Sequence, residues 1–328
     1  MKTTSFLGPL ATDFADFTAT LEASATSNKT TLTQLRALDR FTKSPLLPSG
    51  TIDEALAREW LAPRESRGPN TRCARYYLLR RFCRFLAKRR PGAFIPGESL
   101  RPRRRPAALS HIYTREEIRS LLEGALSLRN WEQRHPCPIR SKTMYAIILL
   151  LVTTGLRISE ALHLTLQDVD LKAGVLSIWQ SKFRKSRIVP LSKGTTDVLR
   201  DYRELRDAVA PTGPDEAFFI SGRGKAYSPG YVGLMFRDIA VEAGLRGPTG
   251  RGPRLHDLRA TFAVTRLLEW YRDGDNVMNR LPLLSTYLGH ACVSDTAVYL
   301  RITTALLEQA NARFHAFARD VLPGGDVS

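Results

Sequence analysis

Apolar residues recur at three- and four-residue intervals through the N-terminal part of the chain, the period of a helix with one buried face. Pro9 to Ala23 carries Leu10, Phe14, Phe17 and Leu21 at that spacing. Leu32, Leu35, Leu38 and Phe41 predict a second helix over Leu32 to Phe41, and Ile52 to Leu61 a third, with Thr51 or Ser49 as its cap. A fourth helix is predicted over Asn70 to Lys88, with Tyr76, Leu79, Phe82, Cys83 and Leu86 on its apolar face. Prolines 91, 96, 102 and 106 then break the pattern around Arg101-Pro102-Arg103-Arg104-Arg105. Proline favours extended backbone and the arginines keep it solvated, so this stretch reads as a linker.

The pattern resumes at Tyr113. Thr114 followed by Glu117 has the spacing of a capping box ahead of Ile118, Leu121 and Leu122. Arg140 to Thr153 predicts a core helix, because Met144 to Val152 is apolar without a break. Gly174 to Gln180 and Arg187 to Leu191 are short β-rich runs around a polar turn, read as a hairpin. Helices are expected again at Thr195 to Val209, Pro229 to Ala243, His256 to Tyr271 and Leu281 to Leu288, with Pro282 in the first turn of the last. Gly289 reads as its left-handed cap, and Ser294 to Leu300 as a further short helix. The expected fold is mainly α with a small β-hairpin or sheet. A helical domain over 1–97 and a basic linker over 98–112 precede a larger domain over 113–328.

Charge changes this picture most. At 328 residues the chain has room for two domains. Its net charge of +17 implies a polyanionic partner, since each cation that neutralises a phosphate releases a condensed counterion. The longest apolar run falls far short of the roughly 20 residues that span a bilayer, and the N-terminus lacks a signal peptide's apolar core. The expected setting is therefore the cytoplasm, on the nucleoid. Candidate DNA contacts are Arg72, Arg75, Arg80, Arg81, Arg84 and Lys88 on the fourth helix and Arg101, Arg103, Arg104 and Arg105 in the linker. No acid lies between Asn70 and Arg90 to relieve like-charge repulsion, unless phosphates do so. Cys73, Cys83, Cys137 and Cys292 show no ligand or disulfide spacing and are expected as reduced thiols, with no metal site.

The candidate chemistry is dispersed. Arg157 follows Thr153-Thr154-Gly155-Leu156, with Glu160 one turn later and able to orient its guanidinium. Lys182 lies in Ser181-Lys182-Phe183-Arg184-Lys185-Ser186-Arg187. His256 and Arg259 share one helix face, with Asp257 between them as a candidate cap. Leu288-Gly289-His290 is followed nine residues on by Tyr299. Two arginines, two histidines and a lysine are donors suited to one pentacoordinate phosphate, and a tyrosine phenol is a nucleophile. Taken singly each has an ordinary explanation: a helix-start arginine paired with a glutamate, or a half-buried core tyrosine.

Together, the G-L-R-x-S-E pattern, H-x-x-R, L-G-H and the tyrosine closely resemble the tyrosine recombinase (phage integrase) family over Tyr113 to Val321, with Thr296 where the family usually carries threonine. The N-terminal part is similar to the family's core-binding domain in size, helicity and charge. The long connection from Trp270 to Leu283 resembles the transposon-borne recombinases encoded in groups of three. The resemblance implies that Arg157, Lys182, His256, Arg259, His290 and Tyr299 are catalytic, in a reaction needing neither metal nor ATP. Tyr299 would form a 3′-phosphotyrosyl link, the arginines would clamp non-bridging oxygens and His290 would bond the phosphate. His256 would assist proton removal, and Lys182 would protonate the departing 5′-oxygen. Ile188-Val189-Pro190-Leu191 anchors the lysine at 182, while both flanking glycines of the family's turn are replaced and Lys185 is a rival. The implied partners are double-stranded DNA with paired binding sites, and sister protomers in a homotetramer or mixed assembly. An apolar stripe over Thr303 to Val321 would dock onto a neighbouring protomer. The competing readings are a type IB topoisomerase and a DNA-binding accessory that does not cleave.

Overall fold

The computed structural model describes residues 6–24, 29–43, 51–63, 68–104, 110–128, 139–179, 186–245, 252–303 and 308. The chain divides into two compact units, 1–108 and 109–328. Among the described residues no helix is long and apolar enough to cross a membrane.

The first unit is built from α1 (Ala11–Ala23), α2 (Lys29–Thr42), α3 (Glu54–Leu61) and α4 (Pro69–Arg89). Their apolar stripes meet in a core rich in aromatic rings. Phe14 stacks on Phe82 with centroids 4.2 Å apart, Phe17 tilts against the same ring, and Phe41 leans on Trp60. Helix α3 is capped by Asp53, whose Oδ1 accepts the Leu56 N–H at 2.8 Å, rather than by Thr51 or Ser49. An aspartate in extended backbone satisfies a helix-start donor just as a hydroxyl would.

The basic face of α4 is largely occupied within its own domain. Arg75 is buried, donates to the Trp60 carbonyl at 3.2 Å and lays its guanidinium over the Trp60 ring. Arg80 donates to the Pro96 carbonyl and to the Tyr76 hydroxyl, and Arg72 to the Leu61 carbonyl. Arg89 and Arg90 pair with Asp16 and Asp13 of α1. Counter-charge and most of the acceptors therefore come from outside α4, which a search for acids within α4 alone cannot detect. Arg75 and Arg80 are thereby tied to carbonyls of their own domain. Arg84 and Lys88 stand exposed, as do Arg103 and Arg104, while Arg101 pairs with Glu98 at 3.2 Å. Arg105 lies outside the described residues.

In the second unit, α5 (Arg115–Leu126) begins with the expected reciprocal cap. Thr114 accepts from the Glu117 N–H, and Glu117 accepts from the Thr114 N–H. Helix α6 (Ile139–Thr154) is central, with Met144, Ile147, Ile148, Leu150 and Leu151 all within the core. A short α7 (Ile158–Leu162) leads into β1 (Val169–Asp170), β2 (Val175–Ile178) and β3 (Arg187–Pro190). They form an antiparallel sheet in the order β1-β2-β3, with Leu176 opposite Val189. Leu176, Ile178 and Val189 face the core while Ile188 faces out, as the two-residue period requires. The two-residue β1 is too short for alternation to show in the sequence.

Helices α8 (Lys193–Asp207), α9 (Pro229–Glu242), α10 (Asp257–Arg272) and α11 (Val277–Leu288) follow, the first two started by Ser192 and Ser228. Asn276 caps α11, so Pro282 falls inside the helix rather than in its first turn. The acceptor that Pro282 leaves without a bond belongs to Met278, which is solvent-exposed. Residues 294–303 are again helical.

Candidate active site

Two glycines shape the backbone around the candidate residues. Gly155 ends α6 at φ +63°, and a Cβ there would lie 2.5 Å from the Phe262 ring. Gly289 caps α11 in the left-handed conformation, and a Cβ there would lie 2.7 Å from Arg187 Nη1. Both positions need glycine for conformation and for room.

Helix ends leave carbonyls without partners, and here arginines take them. Arg259, one turn into α10, is 1% exposed. It donates from Nη1 to the Gly155 carbonyl at 2.6 Å and from Nη2 to the Leu288 carbonyl at 2.7 Å. Arg157 stands at the cap of α7 and donates from Nη2 to the Gly289 carbonyl at 3.0 Å. Its Nη1 and backbone N–H both bond Glu160, at 2.7 and 3.0 Å. The two arginines thus converge on the C-terminal end of α11, where the helix dipole favours cations.

His290 follows the Gly289 cap. Its Nδ1 lies 2.6 Å from Oγ1 of buried Thr296, and its ring is stacked against Tyr299 with centroids 6.3 Å apart. A hydrogen bond at Nδ1 leaves Nε2 as the nitrogen available to a ligand. Tyr299 is 7% exposed and sits in the helical stretch 294–303, with Thr303 bonded to its carbonyl. His256 precedes α10. Asp257 does not cap that helix; it reaches back to the Arg254 backbone N–H at 2.8 Å and pairs with the Arg254 guanidinium.

The electrostatics follow from this crowding. Burial, then the charge of Arg157, pulls Arg259 down to about 10, which leaves it cationic at neutral pH. Burial, then Arg259 and Arg157, pulls the His290 imidazole down to about 4. Desolvation and Arg259 lower His256 as well. Burial pushes the Glu160 carboxyl up, but hydrogen bonds and charge from Arg187 and Arg157 outweigh it and hold the group ionised below its ordinary range. The result is three guanidinium groups against one carboxylate, beside two neutral imidazoles and a phenol. That set offers net positive charge to an anion, a proton acceptor and a nucleophile.

The structure therefore gathers Arg157, Glu160, His256, Arg259, His290 and Tyr299 from the α6–α7 turn, the start of α10, the end of α11 and 294–303. Lys182 and Lys185 lie outside the described residues, as does the tail stripe beyond Thr303 apart from Glu308. Arg187 was not foreseen. It closes the basic run before Ile188-Val189-Pro190-Leu191, and only the fold brings it against Glu160. Cys73 and Cys83 are buried free thiols and Cys292 an exposed one. Among the described residues no cluster of His, Cys, Asp and Glu is arranged to hold a metal ion.

Comparison with known proteins gives one consistent result. Residues 113–305 match the phage integrase family. The integrase/recombinase y4rB of Sinorhizobium fredii is 39% identical over 265 residues, covering 80% of this chain and 83% of that protein. The tyrosine recombinase XerD of Chlorobaculum tepidum is 27% identical over 238 residues, 72% of each. Among solved structures, the Tn1549 transposon integrase in complex with transposon right end DNA aligns with a TM-score of 0.63 at 16% identity, covering 93% of this chain and all of that one. The site-specific recombinase XerH bound to a palindromic difH substrate aligns at 0.61 and 22% identity, covering 87% and 78%. At these identities the structural likeness concerns the fold.

Proposed function

The chain belongs to the phage integrase family, the tyrosine recombinases, enzymes that cleave and rejoin DNA, and on that premise we propose that Tyr299 is its nucleophile and a DNA phosphodiester its target. One observation carries this reading above the others. Arg157 and Arg259, set 102 residues apart in sequence, are held at the same helix end as His290, whose ring stacks on Tyr299.

In the proposed reaction, Tyr299 Oη attacks the scissile phosphorus as the P–O5′ bond breaks, giving a 3′-phosphotyrosyl link and a free 5′-hydroxyl. Arg157 and Arg259 hold the non-bridging oxygens, where charge rises in the transition state. His290 donates from Nε2 to the same phosphate, with Thr296 on the opposite nitrogen. His256, neutral at physiological pH, takes the phenolic proton. Lys182, assigned from the sequence, gives a proton to the departing 5′-oxygen. One ester replaces another, so the 5′-hydroxyl of a partner strand reverses the step and completes the exchange.

The partner we assign is double-stranded DNA with paired sites, bound by four protomers in the cytoplasm, in the service of a mobile element. The net charge of +17 supports a polyanionic partner. The test is covalent trapping. The protein is incubated with nicked suicide duplexes tiled across the DNA flanking its own gene, and the products are resolved in SDS. The expected result is a protein–DNA band that Tyr299→Phe removes while native-gel binding persists. Specific binding without any such band would replace this reading with a non-cleaving accessory. Relaxation of supercoils without a defined site would replace it with a topoisomerase.

A further inference from the structure

The Glu160 carboxylate is shared between two arginines. Its side chain is 6% exposed, and each of its oxygens accepts two hydrogen bonds. Arg157 supplies its backbone N–H to Oε2 at 3.0 Å and Nη1 to Oε1 at 2.7 Å. Arg187, at the start of β3, supplies Nη2 to Oε2 at 2.9 Å and Nη1 to Oε1 at 3.2 Å. The Arg187 side chain is itself only 11% exposed, and its Nε–H is buried without a partner. Gly289 gives the guanidinium room, and the carbonyl of that same glycine accepts from Arg157.

Such an arrangement has a charge consequence. A carboxylate paired with Arg157 alone would neutralise the guanidinium meant for a phosphate. Two arginines around one carboxylate leave a net positive charge. The flat fork of Arg187 also fixes the carboxylate plane, which the point charge of a lysine cannot do. Its Nη groups are directed at Glu160, so it acts through that residue.

We infer that Arg187 is a positioning residue, holding Glu160 so that Arg157 stays both oriented and charged for the phosphate. The inference rests on the reading of Arg157 as a phosphate clamp. It predicts that the damage of losing Arg187 comes from a carboxylate left with Arg157 alone, and that removing the carboxylate's charge relieves it.

The experiment uses the full chain with Arg187→Gln, Arg187→Lys, Glu160→Gln and the Arg187→Gln/Glu160→Gln double variant. Single-turnover covalent-complex formation on the nicked duplex is measured beside duplex Kd and thermal melting. Arg187→Gln is expected to slow the covalent step about 10- to 100-fold with Kd unchanged, and Arg187→Lys to fall between it and the parent. The double variant is expected to be faster than Arg187→Gln alone. Should Arg187→Gln fail to fold, Arg187→Lys carries the test: a rate below the parent's with parental melting upholds the inference, and a parental rate overturns it. Cleavage by Arg187→Gln at the parental rate, or a double variant slower than the single, overturns the inference and leaves the active-site reading intact. No Tyr299-dependent band from the parent overturns that reading, and the inference with it.

Discussion

Two sets of arginines distinguish the two units of this chain. Along α4, Arg72, Arg75 and Arg80 give hydrogen bonds to carbonyls of their own unit, and Arg75 is closed over by Trp60. Around the end of α11, Arg157 and Arg259 also bond carbonyls, but they do so beside two imidazoles and a phenol. Nothing in the arginines separates the sets. What separates them is the company: rings and carbonyls that complete a core in one unit, titratable and nucleophilic groups in the other. A basic face is thus weak evidence of function until the fold shows how many of its donors are already used.

The largest effect that tests this contrast is expected at Arg259. Arg259→Lys keeps a charge but cannot serve the Gly155 carbonyl, the Leu288 carbonyl and a phosphate together. Covalent-complex formation is expected to fall roughly 10²- to 10³-fold, the usual cost of one transition-state donor, with Kd little changed. A quench-flow series on the nicked duplex measures it. A loss in affinity alone would place Arg259 with the binding arginines.

Next comes Arg75, which the contrast assigns to stability. Arg75→Ala removes a buried guanidinium from the Trp60 ring and a hydrogen bond from the Trp60 carbonyl. We expect a loss of about 4 kcal/mol in the first unit, from the sum of a desolvated cation–π contact and one charged hydrogen bond. Urea melts followed by tryptophan fluorescence report it, because Trp60 is the affected ring. The salt dependence of DNA binding should be unchanged. A shallower slope at parental stability would mean that Arg75 reaches a phosphate after all.

These outcomes bear on what a sequence can show. The long amphipathic helices were legible, because burying an apolar stripe needs only periodicity, and so was the reciprocal cap of Thr114 and Glu117. Arg157, His256, Arg259, His290 and Tyr299 stood out only through their resemblance to the family, since each alone has an ordinary structural explanation; the fold adds that all of them lie around the end of α11. The cross-helix partners were not legible: Asp13 lies 77 residues from Arg90, and Arg187 lies 27 from Glu160. The Asp53 cap was missed because neighbouring residues offer equivalent capping oxygens, the depth of Pro282 because α11 starts at Asn276, ahead of the expected Leu281, and β1 because two residues show no alternation.

A smaller effect concerns pH. An unfolded histidine titrates near 6.5, whereas burial beside Arg259 and Arg157 holds His290 at about 4. Between those values the unfolded chain binds more protons than the folded one. The contribution of neutral His290 is therefore complete above about 6.5 and is lost as pH falls toward about 4. His290→Gln should flatten this decline in the second unit by on the order of 1 kcal/mol, after allowing for partial exposure. Thermal melts at pH 7 and pH 5 measure the difference. An equal decline in both proteins would locate the acid sensitivity elsewhere.

The smallest effect separates the remaining cations of α4 from their neighbours. Arg84 and Lys88 are exposed on the helix that also carries buried Arg75. Neither has an ion-pair or carbonyl partner among the described residues. If they are the part of the basic face left for DNA, each neutralises a phosphate and releases counterions. Arg84→Ala and Lys88→Ala should then each reduce the slope of log Kobs against log salt by about 0.9, with melting unchanged. The expected changes are mirror images: Arg75→Ala moves stability and not slope, Arg84→Ala slope and not stability. Fluorescence-anisotropy titrations at four salt concentrations resolve a change of that size. Unaltered slopes for both Arg84→Ala and Lys88→Ala would leave those two positions solvated, and the phosphate contacts of the first unit would have to be sought at Arg81, Arg103 and Arg104, which are also exposed.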